Sequence, residues 1–275
     1  MSRTMPRALI ITALLVAGAT ATPRGQAPID WTSIEIETLR HFQALVRLDT
    51  SNPPGNETRA VDYLKQVLDQ EGLPYEVFAG DASRANLVVR IKGSGRKKPI
   101  LVMGHTDVVT VDAKKWVDHG PFSADAADGH IYGRGTVDDK DNLVASLMLV
   151  LMLKRSHAVL DRDVIFLAES GEESSPEVGA QFMIDRHFDA IDAEYCLAEG
   201  GGPGLSAGSY TRSNVSTTEK EPRAVELIAH GPAGHGSVPR QANVVAQLSR
   251  SVAKVVDWTP PLRINETMAS TCCRR

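Results

Sequence analysis

Cysteine is scarce. The chain of 275 residues has three, Cys196, Cys272 and Cys273, too few to staple a fold of this length, so no disulfide framework is implied. A basic excess is also missing. Thirty Lys and Arg stand against 34 Asp and Glu, a formal net charge of −4, which argues against a nucleic-acid partner, since such binders carry a basic surplus or stripe. No hydrophobic run is long enough to cross a membrane: the apolar stretch at 8–17 falls short of the roughly 20 residues a spanning helix needs. Several catalytic signatures are lacking too. Without a G-x-S-x-G elbow a serine hydrolase is disfavoured. Gly93-Ser94-Gly95 lacks the third glycine of a dinucleotide fingerprint, and residues 231–237 (GPAGHGS) lack the lysine of a phosphate loop. What remains is the composition of an ordinary soluble protein, 42% hydrophobic and 23% charged, whose core comes from apolar burial in one large domain or one domain plus a fragment.

The amino terminus stands apart. Residues 1–7 carry two arginines and no acid, an apolar run ALIITALLVA follows, and Ala17-Gly18-Ala19 and Ala19-Thr20-Ala21 both read A-x-A. This is the layout of a secretory signal peptide, so residues 1–27 are expected to be removed. The protein is then predicted to be secreted or periplasmic, with no stable membrane span after processing.

Beyond that segment the apolar spacing predicts helices over 31–48 and 58–70, the first ended by the turn chemistry of DTSNPPG at 49–55. Short, nearly continuous apolar runs at 86–91, 99–103, 163–168 and 194–198 read as strands buried on both faces. Helical segments at 141–155 and 177–186 lie between them. The first is apolar almost all round, so it needs burial on nearly every side. This alternation predicts an α/β fold with a mostly parallel sheet flanked by helices. Residues 200–218, rich in Gly, Ser and Thr, read as a loop or linker; 224–229 follows as a strand and 243–256 as a helix. No internal repeat is present.

In open α/β sheets, sites form at the carboxyl ends of strands. One strand is followed by Gly104-His105-Thr106-Asp107, the next by Glu169-Ser170-Gly171-Glu172-Glu173, and a third by Glu199 with three glycines. The glycine-rich turn 133–140 (GRGTVDDK) opens the apolar helix. An imidazole with several carboxylates and no thiolate suits zinc, cobalt or manganese. In His-x-Asp the side chains of an extended segment point apart. Both serve one site only if the chain turns, and the Asp then holds the imidazole rather than the metal. A Glu-Glu pair after a strand can divide the work, one acid binding metal and one moving a proton.

These motifs in this order resemble the co-catalytic zinc metallopeptidases that include aminoacylase-1, carboxypeptidases G2 and S, carnosinase-type dipeptidases, acetylornithine deacetylase and succinyl-diaminopimelate desuccinylase. The resemblance rests on GHTDVV (104–109), YGRGTVDDK (132–140), AESGEES (168–174), AEGGG (198–202) and GPAGHGSVP (231–239), with DTSNPPGNE (49–57) similar to the amino-terminal signature. It implies a catalytic domain over 28–217 and an incomplete α+β lid and dimerisation domain over 218–275. By it His105, Asp138, Glu173 and Glu199 bind metal, Asp138 bridges two ions, and the peptide after Asp138 is cis. Asp107 orients His105, and Glu172 is the general base. His235 resembles the lid histidine that polarises the substrate carbonyl in a partner subunit's site. The implied cofactor is Zn2+, two ions per complete active site, with Co2+ or Mn2+ possible. The implied reaction is hydrolysis of amide bonds in small peptides by a dipeptidase or carboxypeptidase, or alternatively deacylation of N-acyl amino acids.

Two departures stand out. Asp141 follows the bridging motif, where the family usually has a small residue. The histidine that completes the second metal site lies far towards the carboxyl end in the family, whereas His235 is the last histidine of this sequence. The resemblance therefore implies a carboxyl-terminally truncated member, a homodimer only in a full-length form, and, as a reading of another class, a catalytically incomplete metal-binding fragment.

Overall fold

A computed structural model describes residues 29–206, 209–217, 224–238 and 243–272; the expected signal segment and Cys273 lie outside them. The chain divides into two units between Glu199 and Gly200.

The first unit begins with helix α1 (Trp31–Val46), whose amino end is capped by the Asp30 carboxylate accepting from Ser33 N at 3.3 Å. Strand β1 (Ser51–Asn52) and helix α2 (Thr58–Gln70) follow. Ala60, Val61, Leu64, Val67 and Leu68 recur at helical spacing and are the residues α2 buries. Then come β2 (Tyr75–Phe78), β3 (Asn86–Ile91), β4 (Ile100–His105), β5 (Val108–Val109) and the hairpin β6 (Asp125–Ala127) with β7 (His130–Tyr132). Helix α3 (Lys140–Arg155), strand β8 (Val164–Glu169), helix α4 (Ala180–Ile191) and strand β9 (Tyr195–Leu197) complete the unit.

The central sheet has the order β2-β3-β8-β4-β9. β4 is parallel to both β8 and β9, while β3 is antiparallel to its neighbours β2 and β8. Four of the five strands thus point one way and β3 alone is reversed, in accord with the mostly parallel sheet expected. Alternation along the strands feeds two cores. Leu87, Val89, Val102, Phe166 and Ala168 pack with α2 and α3 residues, among them Leu64, Leu68, Leu143, Leu147 and Leu151. Val88, Leu101, Ile165 and Leu167 pack with Met183 and Ile191 of α4. As its composition required, α3 buries Leu143, Val144, Leu147, Met148, Val150 and Leu151.

Four local expectations are corrected. The 177–186 helix starts as a 3-10 turn, Pro176–Val178, and becomes α-helical only from Ala180, because Gly179 between them has non-helical backbone angles, φ −109° and ψ −119°. β9 is not buried on both faces: among the described residues it is an edge strand paired with β4 alone, and its residues are exposed. In the second unit, 202–214 is not a loop. β10 (Gly202–Ser206) and β11 (Ser209–Asn214) pair antiparallel, with a register shift between Gly204 and Leu205; the Tyr and Thr of β11 favour a strand and offset the glycines of its partner. Conversely, 224–229 forms no strand. Its apolar residues meet no pairing partner among the described residues, and an unpaired strand leaves its backbone groups to water. Helix α5 (Val244–Asp257) is capped by Asn243, whose side-chain oxygen accepts from Val245 N and Ala246 N, and α6 (Glu266–Cys272) follows.

Lys140, at the start of α3, is fully buried and donates to the carbonyls of Leu45 at 3.0 Å and Leu48 at 2.8 Å, where α1 ends. Burial pushes its ammonium down to about 8. Lys140→Met retains the stem and strands both carbonyls, so unfolding should become easier by about 1–3 kcal/mol. A urea midpoint equal to that of the parent chain would show that the ammonium does not tie α1 to α3.

Candidate metal centre

Three adjacent parallel strands, β9, β4 and β8, bring their carboxyl ends to one edge of the sheet. His105 closes the middle strand, Glu199 lies two residues beyond β9, and Glu172 and Glu173 lie in the loop that leaves β8. Asp138 comes from the turn before α3. That turn packs tightly against β4: a Cβ on Gly104 would lie 2.9 Å from Asp139 Oδ2 and from Leu143 backbone atoms. Only glycine admits this approach, one residue before His105.

The His105 ring is buried, and its two nitrogens have different surroundings. Nδ1 lies 3.0 Å from the Asp107 carbonyl oxygen, a group that only accepts, so Nδ1 carries a hydrogen and Nε2 faces the carboxylates. From Nε2, Asp138 Oδ1 lies at 3.0 Å, Glu199 Oε2 at 3.6 Å and Glu172 Oε2 at 3.9 Å. Two sets of donor atoms each lie within 4.8 Å of one another: His105, Glu172 and Glu199, and His105, Asp138 and Glu173. His105 is common to both. The Asp138–Asp139 peptide is cis, the form the resemblance implied.

The electrostatics are those of crowded acids. Burial pushes Glu199 up to about 7, helped by the charges of Asp139, Asp138 and Glu172 and opposed by His105. Glu173 is raised by burial and then by Asp138 and Glu172. Burial works against the charged form of His105, yet the hydrogen bond and charge of Asp107, with the charges of Asp139 and Asp138, hold the imidazole up at about 10. A divalent cation would neutralise this excess, displacing the imidazole proton as it bound. One imidazole and four carboxylates converging without thiolate fit a zinc-, cobalt- or manganese-class ion.

Asp107 does more than face the imidazole. The strand ends at His105 and the chain turns, as His-x-Asp required. The buried Asp107 carboxylate then accepts from Glu172 N at 3.1 Å, Glu173 N at 3.1 Å and Asn52 Nδ2 at 2.7 Å. Its contact with His105 Nδ1, at 3.4 Å, is longer. His235 belongs to the second unit, where its ring is exposed and its Nδ1 lies 2.7 Å from Ser237 Oγ.

Several residues beside the site were assigned no role from sequence. Asp139 is buried and accepts from His105 N and Asn142 Nδ2, both at 3.1 Å; burial raises it to about 6. Glu169 is buried, accepts from Ala180 N at 2.8 Å and is raised by burial to about 7. Asn86 donates to Val178 O and accepts from Ser170 N, anchoring both sides of the acid-pair loop. The doubled Asp of VDDK and the position of Glu169 at a strand end were the available signals. Nothing in sequence spacing marked Asn86.

Residues 101–274 match the model of peptidase family M20/M25/M40. The chain belongs to that family. A relative named probable succinyl-diaminopimelate desuccinylase, from Staphylococcus epidermidis, is 32% identical over 208 residues, 74% of this chain and 47% of the relative. This M20 chain therefore spans about half the length of such curated relatives. In fold it is similar to an M20 metallo-carboxypeptidase from Sulfolobus solfataricus, with TM-score 0.53 and 24% identity over 61% of this chain and 38% of the other. It is also similar to human carnosine dipeptidase 1, with TM-score 0.52 and 18% identity over 62% and 40%.

Proposed function

We propose that the protein is a metal-dependent amide hydrolase of small substrates with a free carboxylate, a dipeptidase or carboxypeptidase. The observation that carries this reading is the convergence of Asp138, Glu172, Glu173 and Glu199 on the single buried imidazole of His105. His105, Asp138, Glu173 and Glu199 would hold the metal. When bound, such ions supply Lewis acidity and acidify a water. Glu172 takes the proton of the attacking water and returns it to the departing amine nitrogen. With 45% of its side chain exposed, it is open to both water and substrate. Asp107 keeps Glu172 and Glu173 in register through their backbone amides, and its carbonyl fixes the His105 ring so that Nε2 faces the carboxylates. In a full-length dimer, His235 would stabilise the oxyanion in the partner subunit's site.

A second reading, deacylation of N-acyl amino acids, is favoured by the desuccinylase name of the Staphylococcus relative. The two readings share one site and differ in the group acylating the substrate nitrogen. A panel of dipeptides and of N-acetyl and N-succinyl amino acids separates them, with metal content measured by mass spectrometry. The parent chain should retain zinc or cobalt through desalting, and His105→Ala, which removes the donor shared by both sets, should lose it. Retention of metal by His105→Ala equal to the parent's would overturn the metal assignment. Export belongs to the same proposal, on the basic start, apolar run and A-x-A sites of the leader. Amino-terminal sequencing of the exported protein should begin between residues 22 and 28; a mature protein that still starts at Met1 contradicts it.

A further inference from the structure

The motif DTSNPPGNE contributes no metal donor, yet one of its buried side chains bonds to Asp107 beside the site. Asn52 is 3% exposed. Its strand β1 pairs with β5, Asn52 opposite Val109, which places its side chain beside the turn that follows His105. The carboxamide has two ends, and both are used. Nδ2 donates to Asp107 Oδ2 at 2.7 Å, and Oδ1 accepts from Ser175 Oγ at 3.3 Å.

Those two partners hold the acid-pair loop from opposite sides. Asp107 receives the amides of Glu172 and Glu173, and Ser175 follows two residues later, with its own amide bonded to Gly171 O at 2.8 Å. We infer that Asn52 is a positioning residue, whose carboxamide clamps Asp107 to Ser175 and so sets where the carboxylates of Glu172 and Glu173 stand relative to His105. The role needs a donor and an acceptor on one rigid planar group, which asparagine supplies. An alanine leaves the Asp107 carboxylate short of a charge-assisted bond in a dry place. An aspartate sets two carboxylates face to face. For the metal this inference rests on the proposed function; for the loop it stands on the geometry alone.

The test therefore uses two measurements on the intact chain. The first, made without metal, is hydrogen exchange of the amides of Glu172 and Glu173. Their exchange should speed up about tenfold or more in Asn52→Ala, because the acceptor they share loses its anchor. The second is titration with Co2+ alone, read by its visible absorption. Asn52→Ala should weaken binding by about 10–100-fold, the range seen when a group that orients a ligand is removed. The control is Thr50→Val. Thr50 is equally buried in the same segment and donates to Thr106 O at 2.7 Å, but it has no bond to Asp107 or Ser175. It should lower the melting temperature while leaving both readouts unchanged. Ser175→Ala should move exchange in the same direction as Asn52→Ala, by less.

Unchanged amide exchange in Asn52→Ala overturns the inference, as does an equal change in Thr50→Val, which would reduce Asn52 to general packing. Failure of the parent chain to bind Co2+ counts against the metal reading instead, and the exchange experiment then decides the clamp by itself.

Discussion

Glu172→Gln is expected to keep its metal and lose its activity. The substitution preserves the shape of the side chain and removes the proton acceptor, so turnover of whichever substrate the parent chain hydrolyses should fall by about 100–10,000-fold. Glu173→Ala, made alongside, should lose metal as well as activity. The two acids are adjacent in sequence, and one carboxylate, that of Asp107, holds the backbone amides of both. A merely structural effect would therefore strike them alike, and only a difference in chemical role separates them. Geometry makes the comparison necessary: the Glu172 carboxylate reaches the same imidazole nitrogen as that of Glu199, at 3.9 and 3.6 Å. Equal loss of metal in the two variants would make Glu172 a ligand and return the general base to an unassigned residue.

The second large effect is expected away from the chemistry, at the pair Glu57 and Arg84. Glu57 is fully buried and Arg84 nearly so. The guanidinium donates through Nε to Glu57 Oε2 at 2.9 Å and through Nη2 to Oε1 at 2.6 Å. This fork ties the start of α2 to the segment entering β3, and it closes the loop that carries Asn52. The fit is tight, since a Cβ on Gly55 would lie 2.3 Å from Arg84 Nε. Arg84→Met removes the cation and leaves a carboxylate buried without a partner, a change that costs about 3–5 kcal/mol. The double variant Glu57→Leu/Arg84→Met removes both charges and should recover most of that loss, because the stranded charge rather than the lost attraction carries the cost. Urea denaturation of the parent, the single and the double variant measures it. A single variant within about 1 kcal/mol of the parent would mean that the Glu57 carboxylate reaches water instead.

Much of this could be read from the chain itself, for identifiable reasons. Helix α2 announces itself by burying residues at the helical period, and β3 and α3 do so by continuous apolar runs that demand burial on both faces or nearly all round. The site acids were legible because every one follows a strand or opens a helix, and parallel strands deliver their ends to a common edge. Position alone did not separate them from Asp139 and Glu169; the resemblance singled out His105, Asp138, Glu172, Glu173 and Glu199. The hairpin of β10 and β11 was hidden by its glycines, and the exposure of β9 by an apolar Tyr-Cys-Leu run. A short strand's composition does not reveal whether it has one neighbour or two.

Residue order alone, then, determined the α/β alternation and the kinds of donor group that follow its strands, since these depend on local periodicity and on residue type. Tertiary structure alone decided which groups hold the donors in place. Asp107 meets Asn52 across 55 residues and the Glu173 amide across 66, and Lys140 meets Leu45 across 95. Asn86 meets Val178 across 92. Such contacts leave no period in the sequence. They arise because a buried polar group must find a partner wherever the packed chain supplies one, and that place exists only once the sheet and its helices have closed around it.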